Sequence, residues 1–174
     1  MMTTKQTYKT GLGTSDADSI TLLGHDLATE ILGKYSFGEL SYYLITKRRP
    51  TPGQLVMFEA VLASLADHGF TPTAIAARLT YASAPDSLQG ALAAGLLGGG
   101  SRFLGVTEDC AHFLARELKE IGAAPTTQDG WDAAALNAVQ KQKDIGKFVP
   151  GLGHPVHKQG DPRTPVLMAM AREQ

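Results

Sequence analysis

Apolar residues along this chain recur at intervals of three and four, the period of a helix with one buried face, and capping residues punctuate them. Ser36-Phe37-Gly38-Glu39 has the form of a capping box, with Leu40, Tyr43 and Leu44 next on one face. Thr51-Pro52-Gly53-Gln54 repeats it with proline at the first helical position, where a missing N–H costs nothing. Leu55, Phe58, Leu62 and Leu65 follow at helical spacing up to a stop at Gly69. Thr71-Pro72 opens a third helix with Ile75, Leu79 and Ala82 inward, and Asp86-Ser87-Leu88-Gln89 opens a fourth that is rich in Ala and Gly. Thr107 caps a fifth, with Cys110, Phe113, Leu114, Leu118 and Ile121 as its stripe. A sixth spans 131–142 on Trp131, Leu136 and Val139. Asp161-Pro162-Arg163-Thr164-Pro165 opens a last helix, apolar at Val166, Leu167 and Met170. Residues 19–23 read as a short extended segment, and no alternation is long enough for a sheet. The expected fold class is all-α. Ala91, Ala94, Gly95 and Gly98 allow close helix approach, for a core or for a dimer contact.

Composition narrows the class. The 174 residues carry 16 Lys plus Arg against 17 Asp plus Glu, a formal charge of −1, so no net field steers the chain to nucleic acid or an anionic membrane. One cysteine, Cys110, allows no internal disulfide, which suits a reducing compartment. No apolar stretch reaches the roughly 20 residues of a membrane helix, and the polar first ten residues do not have the apolar core of a signal peptide. The expected location is the cytoplasm.

Three clusters carry candidate chemistry. Ala66-Asp67-His68-Gly69 places an imidazole at an expected helix C-terminus, where the dipole favours a cation; the alternative is a histidine that only satisfies terminal carbonyls. Gly98-Gly99-Gly100-Ser101-Arg102 is costly in chain entropy and serves either a tight turn or a ligand's approach to bare amides, with Arg102 as an anion binder. Pro150-Gly151-Leu152-Gly153-His154 offers backbone to a flat ring and then an imidazole, and Arg163 opens the next helix. His154, His157 and Asp161 form a possible metal set, set aside because the spacing is loose and Pro155 stiffens it. Cys110 lies on an apolar stripe and reads as core. Two histidines and two arginines suit a polycarboxylate substrate and proton movement at a carbonyl oxygen.

In this order and spacing the clusters resemble the citrate synthase superfamily, and most closely its citryl-CoA lyase branch, which includes the lyase module of ATP-citrate lyase. Gly24-His25-Asp26-Leu27, Ser36-Phe37-Gly38-Glu39 and Pro50-Thr51-Pro52 extend the likeness over nearly the whole chain. The resemblance implies a multi-helical fold with a large and a small domain, a homodimer, and CoA thioester substrates (acetyl-CoA and citryl-CoA) with oxaloacetate and no metal. It assigns His154 to the ketone or hydroxyl oxygen, taking the hydroxyl proton in cleavage, and His68 to the dicarboxylate site. It pairs Arg163 with a carboxylate, lays Val149, Gly151, Leu152 and Gly153 against the CoA adenine, and adds Arg102 and Ser101 near the substrate. Ser101 stands where synthases usually carry a histidine, which favours a lyase over a citrate synthase releasing citrate and CoA. The family's catalytic aspartate lies well downstream of Asp161-Pro162-Arg163, and eleven residues follow Arg163 here. The expectation is therefore a citrate synthase-like domain over 1–174 that stops before that aspartate, with the small domain incomplete. As given, such a chain would be inactive alone, or a CoA-binding and dimerisation fragment.

Overall fold

The structure, a computed structural model, describes residues 10–100, 104–154 and 156–174. Two compact units emerge: one from the chain up to Asp67 together with Pro162–Gln174, the other from His68–Asp161.

The first unit begins with three short strands, β1 (Gly13–Ser15), β2 (Ile20–Leu22) and β3 (His25–Asp26), joined as an antiparallel meander. Thr14 pairs with Thr21 and Thr21 with Asp26. This corrects the expectation of no sheet: the extended segment at 19–23 contains β2, and its two neighbours are too short to show alternation. Asp26 then caps a single wide turn, Leu27–Ile31, accepting from the Thr29 backbone at 2.7 Å. That amide holds the Asp26 carboxyl below its usual range.

Helix α1 (Phe37–Thr46) starts on Ser36, which accepts from the Glu39 backbone at 3.1 Å. The box is half formed, because Glu39 turns to Arg49 at 2.6 Å, and the Arg49 guanidinium also lies 4.5 Å over the Tyr35 ring. Helix α2 (Pro52–Ser64) has the full reciprocal box, with Gln54 N to Thr51 Oγ1 at 3.2 Å and Thr51 N to Gln54 Oε1 at 3.0 Å. Tyr42 meets Phe58 edge-on at 5.5 Å, joining α1 to α2. Helix α2 ends at Ser64, so Leu65 leaves the helix and His68 lies in the segment beyond it rather than at its C-terminus. Helix α7 (Arg163–Glu173) also packs on α2, with Leu167 and Met170 half-buried.

In the second unit α3 (Pro72–Ser83) and α4 (Leu88–Leu97) form a close pair. A Cβ on Gly95 would meet the Ala77 Cβ at 3.2 Å and the Thr73 carbonyl at 3.3 Å. The sequence reading placed Ile75, Leu79 and Ala82 inward; all three are exposed, and α3 instead turns its small residues to α4. Close approach of two backbones leaves no room for a leucine between them.

Helix α5 (Val106–Ile121) begins after Gly105, not on a Thr107 cap, and its buried face is Phe113 with Glu117. Leu114 and Leu118 are half exposed, so the expected stripe is rotated. The reason is a buried ionic contact: Glu117 accepts from Arg116 and from Lys141 of α6 (Gln128–Asp144), each at 3.1 Å, and Lys141 also reaches Glu120. Helix α6 is longer than the expected 131–142 at both ends, because Thr127 caps it through Gly130. Ala138 and Gln142 are its buried positions, and Leu136 is exposed.

Candidate active site

The loop before His154 is shaped by two glycines in the left-handed region, Gly151 at φ +82° and Gly153 at φ +106°. A side chain on Gly151 would also strike α5, since a Cβ there would lie 2.8 Å from Cys110 Sγ. The half-buried Cys110 is thus the floor beneath the loop. Leu152 N closes a turn on the Val149 carbonyl at 3.2 Å.

His154 is held by its own backbone. Its Nδ1 accepts from the amides of Val156 and His157, both at 3.1 Å. An amide can only donate, so a neutral His154 carries its proton on Nε2. That nitrogen lies 3.3 Å from Nε2 of His68, with the rings edge to face at 5.2 Å between centroids. In this pair His154 donates and His68 accepts. A neutral His154 so arranged gives its hydrogen bond from Nε2. The ring of His157 lies 4.5 Å from that of His154. Sequence reasoning weighed His157 only as a metal ligand, and nothing in the spacing signals a three-ring cluster.

Arg163 opens α7 in the first unit, where its Nη1 donates to the Ser64 carbonyl at 2.8 Å, the last residue of α2. The second unit therefore gathers His68, His154, His157 and the loop from Val149 to Gly153, and Arg163 is positioned within the first. Ser101 and Arg102 lie outside the described residues. On either side of them, Gly99 N donates to the Leu96 carbonyl at 3.0 Å, and Leu104 N and Gly105 N both donate to the Gly100 carbonyl, at 2.8 and 2.9 Å.

The scaffold is mostly helical and carries a glycine loop that ends in a histidine fixed by two amides, with a second histidine at its Nε2. The chain belongs to the citrate synthase family: the family described as "Citrate synthase, C-terminal domain" matches residues 9–174. Among solved structures, it resembles citryl-CoA lyase from Hydrogenobacter thermophilus at 32% identity and a TM-score of 0.80, covering 97% of this chain and 61% of that one. It also resembles ATP citrate lyase from Methanothrix soehngenii, solved with citrate and coenzyme A, at 26% identity and a TM-score of 0.77. A Methanosaeta concilii ATP citrate lyase variant, solved with (3S)-citryl-CoA, is equally similar at 26% identity and a TM-score of 0.77. This chain spans 61% of the citryl-CoA lyase and 27% of either ATP citrate lyase, each of which covers 97% or more of it. No curated protein sequence matches it.

Proposed function

We propose that this chain carries the histidine centre of a citryl-CoA lyase, which cleaves citryl-CoA to acetyl-CoA and oxaloacetate. The observation that carries the reading is the His154–His68 pair: one imidazole locked as a donor by two amides, the other its acceptor at 3.3 Å. The substrate hydroxyl would enter at this N–H···N contact. His68 takes the hydroxyl proton as the C–C bond breaks, and His154 Nε2–H stabilises the oxygen that becomes the oxaloacetate ketone. The bonding pair passes to the thioester enolate of acetyl-CoA, which is then protonated at carbon. We assign that proton to a carboxylic acid. Arg163 pairs with a substrate carboxylate, Arg102 and Ser101 take part in substrate binding, and Val149, Gly151, Leu152 and Gly153 hold the CoA adenine through backbone groups. No metal takes part in this scheme.

Two observations support the lyase over a citrate synthase: Ser101 at the glycine turn, and the likeness to citryl-CoA lyase. Product analysis separates them. The gene product, given citryl-CoA, should yield acetyl-CoA and oxaloacetate; rapid release of free citrate and CoA would make it a synthase.

A homodimer belongs to the same proposal, with a correction to the surface. The small residues of α4 are spent on α3, and the face left open is Leu88, Leu92 and Leu96, each at least 60% exposed at four-residue spacing. A cytoplasmic location also belongs to it; among the described residues no helix is long and apolar enough to cross a membrane.

A further inference from the structure

The third ring of the histidine cluster has no task in the scheme above. His154, His157 and Asp161 each present one ligand atom, and these atoms lie within 4.8 Å of one another. All three residues are half-buried. Their convergence is a product of the backbone. Gly153 at φ +106° and Gly160 at φ +118° bracket the segment and turn it back on itself, which loose spacing in the sequence does not reveal. Two neutral imidazoles and a carboxylate are the donor set of zinc-class cations, which prefer nitrogen with one hard oxygen.

We propose that His154, His157 and Asp161 form a binding site for a divalent cation of the zinc class. Coordination through His154 Nε2 leaves both amide hydrogen bonds to Nδ1 in place, so the ring is already oriented as a ligand by outer contacts. The same nitrogen lies 3.3 Å from His68 Nε2. Two nitrogens on one tetrahedral zinc stand about 3.3 Å apart, as Zn–N bonds of about 2.0–2.1 Å require. The His154–His68 contact thus has the edge length of a zinc tetrahedron. Occupation withdraws His154 from a substrate oxygen, a consequence that rests on the reading proposed above; the cation site itself does not.

Titration of the reduced 174-residue chain with Co²⁺, read by visible absorption and followed by Zn²⁺ displacement, tests it without any activity assay. One equivalent should bind with a tetrahedral spectrum, and Zn²⁺ should displace it. Asp161→Asn and His157→Ala should each weaken binding at least tenfold, with folding checked by circular dichroism. His112→Ala, whose imidazole is exposed on α5 beside Glu108, should leave it unchanged. No stoichiometric binding would overturn the site. So would equal binding by both ligand variants, or a cobalt–thiolate band lost in Cys110→Ser.

Discussion

His154 shows how one residue is specified by its neighbours in the chain. Two amides fix its tautomer, so its contribution should be to the rate and not to CoA affinity. In the gene product His154→Ala should cut kcat by about 10² to 10⁴ with CoA binding, followed by calorimetry, nearly intact. A modest KM defect with normal kcat would reduce it to a binding residue. Arg163 is more entangled, because it also ties α7 to α2 through the Ser64 carbonyl. Arg163→Ala should raise KM and lower the melting temperature together, whereas Arg163→Lys should keep more of the fold than of the affinity. Gly151 is held by both strain and space. Gly151→Ala should cost about 1–3 kcal/mol by chemical denaturation and weaken CoA binding, and pairing it with Cys110→Ala should restore only part, because the positive φ persists.

Among the elements, α5 and α6 depend on one buried carboxylate. The hydrogen bond from Lys141, and then that from Arg116, holds the Glu117 carboxyl below its usual range. A carboxyl with a depressed folded pKa adds stability above its unfolded value, and that stability is lost as pH falls through the folded one. Glu117→Gln should therefore destabilise the protein by about 1–2 kcal/mol at neutral pH. The deficit should shrink steadily as pH falls below about 4.3, the ordinary glutamate range. Urea melts at pH 7 and pH 3.5 measure both; a deficit independent of pH would mean that the charge is not the cause. Helix α2 shows what local sequence alone can do, since both arms of its box close on residues three apart.

For the whole molecule, the exposed leucine row on α4 is the feature most in need of a partner. Leu92→Glu should convert a micromolar dimer to monomer in analytical ultracentrifugation while leaving the circular dichroism spectrum in place. The reason is that Leu92 is 60% exposed and the α3–α4 contact runs through Ala77, Ala91 and Gly95 on another face. A monomeric parent protein, or a dimer unmoved by the substitution, would exclude this surface.

The sequence by itself determined the family and the helix starts that carry their own caps. Caps at Ser36, Thr51 and Thr71 act over three residues, so they are legible without a fold. The glycine loop before His154 is legible for the same reason: only glycine accepts its two positive φ values easily. Which helix faces turn inward was decided by tertiary structure. Ile75 and Leu79 face out because α4 comes close enough to admit only small residues, and α5 rotates so that Glu117 meets Lys141. Both depend on partners distant in the chain, and no periodicity encodes a partner's shape. The proton on His154 Nε2 was likewise decided by where the amides of Val156 and His157 point. The meeting of His68 with His154, 86 residues apart, is a contact that only the folded chain creates.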